Sequence, residues 1–234
     1  AGGVAWGGSG MGGGWAVHVR TGGAWRGGGP RGGEGWWCLV MSRCGRGGGG
    51  VWAGLGGIAA EWGGLDFVLH SIAYAPRDDL HGRVTDCSRA GFLTAMDVSC
   101  WSFIRMAKLA EPLMPGGGAL FCMSYYGSQM VVEHYNMMGP VKAALESATR
   151  YLAAELGPQG IRVHAISPGP LKTRAASGIA EFDALLDRAQ AKAPARSLVS
   201  IDDVGEATAW LATDAARRMT GQTLYIDGGY HIID

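Results

Sequence analysis

The chain has 234 residues, 47% hydrophobic and 17% charged, with 20 Lys plus Arg balanced by 20 Asp plus Glu. That is chain enough for one domain with a substantial core, and the zero net charge excludes a strongly basic nucleic-acid binder and an acidic disordered tail. No run of about 18 apolar residues marks a membrane span, the first residues lack the order of a secretory leader, and five cysteines without a C-x-x-C pair read as reduced thiols of a cytoplasmic protein rather than as a zinc site.

Two unlike parts make up the chain. Residues 1–64 hold most of the 41 glycines and most of the 9 tryptophans, with no Asp and no Lys. Runs such as Gly47 to Gly50 oppose a helix, at up to about 1 kcal/mol per Gly against Ala, and offer no side chains for a strand face. Gly, Trp, Arg, Ala and Val are what GC-rich DNA encodes in a wrong frame. This stretch therefore reads either as frameshifted sequence or as a natural Gly-rich segment. Gly8, Gly10 and Gly13 satisfy G-x-G-x-x-G, a cheap match in such a background and one without a preceding strand.

From about Leu65 the pattern is regular. LDFVLHS (65–71) reads as a buried strand. Ala73 to Arg83 is a loop. Ser88 to Glu111 reads as a long helix that Pro112 and the 115–118 Pro-Gly run stop. ALFCM (119–123) is a second buried strand. Asn136 to Leu156 reads as a long helix closed by Gly157. IRVHAI (161–166) is a third strand, broken from Ser167. Ala180 to Lys192 and Ile201 to Thr213 are helices, the latter started by Ser200 or Asp202. TLYI (223–226) is the last strand. Alternating strands and helices predict a parallel sheet covered on both faces. Ligands then bind beyond the carboxyl ends of the strands, after Ser71, Met123 and Ile166.

The third of those places holds Ser167 and Pro168; the second holds Tyr125, with Tyr135 ten residues on and Lys142 seven further. On a helix seven residues turn about 700°, which would bring Tyr135 and Lys142 onto one face if the helix already includes Tyr135. A phenol of pKa about 10 is a poor acid unless its anion is stabilised, and an ammonium nearby does that. No carboxylate pair or His cluster has metal-ligand spacing. His70 reads as structural, His134 as loop surface, Asp66 and Asp86 as turn or cap residues, and the methionines as core or pocket lining.

The layout resembles the short-chain dehydrogenase/reductase superfamily. Its common members carry Tyr-x-x-x-Lys, and Met138 stands where that tyrosine would be. The Tyr-x6-Lys spacing with a second tyrosine ten residues earlier is similar to the NADH-dependent enoyl-acyl-carrier-protein reductases, and argues against a 3-oxoacyl reductase. The likeness runs through LDFVLHSIA (65–73), YNMMG (135–139), KAALE (142–146), RYLAA (150–154), GPQGIRV (157–163), AIS (165–167), TRAASGI (173–179) and YIDGG (225–229). It covers about Trp62 to the end.

The resemblance implies a single Rossmann-like α/β domain over 1–234, a doubly wound parallel sheet whose first βα units are truncated or corrupted in 1–64. It implies NADH as cofactor, an enoyl chain on acyl carrier protein as substrate, a homotetramer, and no metal. Tyr135 then donates to the thioester carbonyl, and Tyr125 sits beside the substrate. Lys142 holds the nicotinamide ribose. Ile72 contacts the cofactor and Ala75 the substrate. Leu171, Lys172, Thr173, Arg174 and Ala175 pass over the nicotinamide and pyrophosphate, and 176–186 forms a substrate-covering segment. VAWG (4–7) matches the residues just after the phosphate turn, with Val4 at the cofactor. The turn's own strand and the adenine-contacting Asp have no counterpart. The competing reading is a copy that keeps the family's second half but does not bind NADH.

Overall fold

A computed structural model describes the backbone of residues 4–11, 14–21 and 36–41, and residues 64–171 and 182–233. Seven strands among them form one sheet in chain order. These are β1 (Val4–Met11), β2 (Gly14–Thr21), β3 (Trp36–Met41), β4 (Phe67–His70), β5 (Gly118–Met123), β6 (Ile161–Pro168) and β7 (Thr223–Ile226). From β3 to β7 every pairing is parallel. β1 pairs antiparallel with β2, and β2 with β3.

Those first three strands correct two expectations. The sheet is not parallel throughout, and the Gly-rich start carries strands. A ladder is made by backbone groups, so glycine weakens a strand without forbidding it. β2 (GWAVHVRT) and β3 (WWCLVM) also contain the aromatic and branched residues that suit a pleated surface.

Six α-helices among the described residues cover or flank the sheet: α1 (Arg77–Leu80), α2 (Arg89–Met96), α3 (Ser102–Ala110), α4 (Met138–Leu156), α5 (Phe182–Lys192) and α6 (Ile201–Ala212). The long helix expected over 88–111 is present as one unbroken helical run in which α2 passes through a π turn (Asp97–Trp101) into α3 and ends in a 3-10 turn (Glu111–Leu113). Ser88 caps α2 by accepting from the Gly91 N–H at 2.9 Å. Ser200 and Asp203 form a capping box at the start of α6, so Ser200 is the start signal. Pro140 is the third residue of α4, where an N–H has no intrahelical partner, so the helix loses no bond to it.

Alternation along the strands sorts the core into two layers. Leu120 and Cys122 of β5 pack with Val68, Val163, Phe103, Met106, Leu145 and Leu152 on the α2–α4 face. Ala119 and Phe121 pack with Ile166, Val204 and Leu211 on the α6 face. The sheet is therefore covered on both sides, as expected. Register places His70 opposite Cys122 and Met123 opposite Ile166, so the carboxyl ends of β4, β5 and β6 are level and open onto one region. β6 runs two residues past the expected break, through Ser167 and Pro168.

Candidate active site at the carboxyl edge

The β5 end turns through Ser124 and Tyr125 into a short 3-10 turn, Tyr126–Ser128. Facing it is a second turn over 133–137 that leads into α4. Tyr135 lies in that turn and not in the helix, which begins at Met138. The helical argument that paired Tyr135 with Lys142 therefore does not apply. His134 (φ 62°) and Asn136 (φ 44°) on either side of Tyr135 are left-handed, a conformation that a helix cannot contain and that His and Asn tolerate better than most residues. The Asn136 side-chain amide donates to Leu80 O at 2.5 Å and anchors the turn on α1.

This geometry brings the two tyrosines together by another route. Their rings meet edge to face, with centroids 4.9 Å apart at 65°, an arrangement favoured by the ring quadrupoles. Gly127 makes room: a Cβ there would stand 2.5 Å from Cδ1 of Tyr135. Burial pushes both phenols up, and the neighbouring tyrosines add to the shift. Both are therefore neutral donors at physiological pH.

Lys142 is on α4, buried at 4% exposure. Its ammonium donates to Met123 O at 2.7 Å, tying α4 to the last residue of β5. Burial pushes its pKa down, opposed by the Cys122 and Cys100 thiols and by Glu146. Desolvating an ammonium costs several kcal/mol even after relaxation, so a lysine is retained here against the packing preference of the site.

Glu146 was not singled out by sequence. It is buried on α4, one turn beyond Lys142, and accepts from Ser124 Oγ at 2.5 Å, Ser128 Oγ at 2.6 Å and Gln129 Nε2 at 3.3 Å. A signal existed. The buried stripe of α4 runs Met138, Val141, Lys142, Leu145, Glu146, Thr149, Leu152, Ala153, Leu156, and two charged residues inside an apolar stripe are unusual unless paired.

The other expected site residues fall as follows. Ile72 is buried just beyond β4, and Ala75 is half-buried against the Tyr125–Tyr135 cluster. Leu171 packs on the α6 face of the sheet. Lys172, Thr173, Arg174 and Ala175 lie outside the described residues. Val4 is on β1, four strands from β5, or about 19 Å at the usual strand spacing; it is not brought to the carboxyl end of β5. His70 is a core histidine, with Nε2 2.7 Å from Ser102 Oγ. Burial and then the Lys142 charge hold its pKa down to about 3.

Three buried hydroxyls at this edge, of Tyr125, Ser167 and Tyr225, have no hydrogen-bond partner. Orphaned polar atoms at the strand edge to which the Lys142 ammonium bonds fit the polar ribose and amide end of a nicotinamide nucleotide. Among the described residues no group of His, Cys, Asp or Glu could hold a metal ion, and no helix is long and apolar enough to cross a membrane.

The family model described as Enoyl-(Acyl carrier protein) reductase matches residues 52–231. An enoyl-[acyl-carrier-protein] reductase [NADH] of Rhizobium meliloti is 46% identical over 173 residues, 74% of this chain and 64% of the relative. That of Aquifex aeolicus is 47% identical over 174 residues, again 74% and 64%. The crystal structure of the Anaplasma phagocytophilum reductase in complex with NAD has a TM-score of 0.75 at 47% identity, over 79% of this chain and 70% of that one. The Bacillus cereus reductase with NADP+ and an indole naphthyridinone gives 0.77 at 40% identity, over 79% and 72%. The chain thus spans a little under two thirds of the length of the first two relatives. The matched stretch contains β4 to β7, both tyrosines and Lys142, and on that extent of likeness this chain belongs to the enoyl-(acyl carrier protein) reductase family.

Proposed function

We propose that the chain reduces the trans-2 double bond of an enoyl group carried on acyl carrier protein, using NADH, in bacterial fatty-acid elongation. The observation that carries this reading is the edge-to-face Tyr125–Tyr135 pair beyond the carboxyl end of β5, the strand whose last residue accepts from the buried Lys142. When bound, the dinucleotide supplies the hydride that goes to the β-carbon. Tyr135 donates its hydroxyl proton in a hydrogen bond to the thioester carbonyl oxygen, where negative charge develops. Its raised pKa keeps that proton in place, so it acts as a donor and not as a phenolate. Tyr125 closes the other side of the substrate. Lys142 binds the nicotinamide ribose hydroxyls, and Ile72 contacts the nicotinamide through its backbone. Ala75 lines the acyl side. Lys172 to Ala175 and Leu171 pass over the cofactor, and 176–186 covers the acyl chain.

We further propose a cytoplasmic homotetramer. Trp101 (50% exposed) and Tyr151 (77% exposed), on the packed α2–α4 layer, leave apolar surface that assembly would cover. A second reading, a chain that retains the fold's second half and does not bind NADH, is favoured by one observation: the antiparallel β1–β2 pair stands where a parallel nucleotide-binding unit is expected. NADH oxidation with crotonyl thioester separates the two. Oxidation dependent on the thioester supports the reductase; no binding of NADH by titration supports the second reading.

A further inference from the structure

Taking the reductase reading as its basis, we infer that Glu146 is a positioning residue of this site. Its buried carboxylate anchors the turn that presents Tyr125, and its negative charge, one turn from Lys142 on the same helix face, favours the Lys142 ammonium.

Three observations carry this. A carboxyl group is rarely this buried unless paired, and Glu146 is 4% exposed. All three of its donors, Ser124, Ser128 and Gln129, belong to one turn and flank Tyr125 on both sides. A two-oxygen acceptor holding both ends of a turn fixes the ring between them, and a displacement of about 1 Å at such a site can cost 100-fold in rate. The third observation is charge. Lys142 lies one turn earlier on the same helix face. Four titratable groups feel the Glu146 charge: Lys142 on its own helix, Cys122 on β5, Tyr135 in the facing turn and Tyr225 on β7. Burial holds the Cys122 thiol up at about 12, so that thiol is neutral at physiological pH; burial also raises Cys100 and lowers His70, the other groups that feel the Lys142 charge, and the Glu146 charge acts with those of Cys122 and Cys100 against the burial that lowers the Lys142 pKa.

The test uses the full chain and four variants: Glu146→Gln, which keeps the shape and removes the charge; Glu146→Asp, which keeps the charge and loses the reach; Ser128→Ala, which removes one donor at a half-buried position; and Glu155→Gln at the exposed end of α4 as control. NADH binding by fluorescence is followed from neutral to alkaline pH, with crotonyl thioester kinetics, thermal melting and amide exchange of residues 124–130. In Glu146→Gln we expect the alkaline loss of NADH binding to move to lower pH, and kcat to fall roughly tenfold or more with KM changed less. Glu146→Asp restores the alkaline limb but not kcat. Ser128→Ala leaves the limb in place and speeds exchange in 124–130. A Glu146→Gln enzyme with an unmoved limb, whose loss of kcat only tracks a loss of melting temperature, would reduce Glu146 to core packing and overturn the inference. If the unaltered chain does not turn over, the reductase reading fails. The anchoring is then judged by exchange at 124–130, which needs no substrate; unchanged exchange in Glu146→Gln and Ser128→Ala overturns it.

Discussion

The ring of Tyr125 meets that of Tyr135 edge to face at 4.9 Å, although they belong to different turns ten residues apart and neither is in the helix that follows. Both turns are held from outside: one by Glu146 on α4, the other by Asn136 on Leu80 O. The pair is thus a product of two independently anchored loops.

Removing one hydroxyl from this pair separates stability from turnover. The Tyr125 hydroxyl is buried without a partner, so Tyr125→Phe should raise stability, by about 1 kcal/mol on the usual desolvation scale. Tyr135→Phe removes the donor at the developing oxyanion and should lower kcat by roughly 100-fold or more. Melting curves and steady-state kinetics on both variants check this. A Tyr135→Phe enzyme with unaltered kcat would remove Tyr135 from the mechanism.

Lys142→Met tests the ammonium. Its bond to Met123 O spans α4 and β5, and the proposed bonds to ribose hydroxyls are charge-assisted. Their loss should weaken NADH binding by roughly tenfold or more. Isothermal titration with NADH reads this directly, and equal affinity in the two proteins would assign the lysine a purely structural part.

Gly127→Ala should damage the site without removing a functional group. The added Cβ would stand 2.5 Å from the Tyr135 ring, so the ring or the turn must move. Overpacking of this kind costs about 1 to 3 kcal/mol. A crystal structure of the variant should show the two rings separated, together with lower kcat and lower melting temperature.

Two buried histidines set an acid limit on stability. Burial, with the Lys142 charge second, holds His70 down to about 3; burial, with Arg162 second, holds His164 down to about 4. Both start from 6.5. Below that value the unfolded chain takes up protons that the folded chain refuses. The contribution is therefore present above 6.5 and lost as pH falls toward the folded values. The slope is up to about 1.4 kcal/mol per pH unit for each group. Melting temperature should fall steadily between pH 6.5 and 4, and His70→Asn should flatten the fall.

Much of the fold is legible in the sequence because its signals are local. The apolar runs over 65–71, 119–123, 161–166 and 223–226 read as strands, and those of β5 and β6 are buried on both faces along most of their length, so they show no alternation. Ser200, one of the two start signals legible in the sequence, is the N-cap of α6. The string of family segments from about Trp62 onward identified the superfamily and the spacing that distinguishes the enoyl reductases within it. Composition alone marked residues 1–64 as unlike the rest.

What the tertiary structure decided is everything that depends on which segments pack together. Periodicity extended α4 back to Asn136, but the left-handed residues His134 and Asn136 end that possibility, and their conformation is held by a bond to Leu80, 56 residues away. The π turn at Asp97–Trp101 is likewise set by distant contacts, with Ser99 bonded to Tyr74 and Ser102 to His70. The antiparallel β1–β2 pair follows from strand pairing and not from any side-chain pattern. Glu146 shows the division most sharply. Its place on an apolar stripe is written in the sequence, but its meaning depends on a turn twenty residues upstream folding onto that stripe, because a buried charge is tolerated only where the fold supplies its partners.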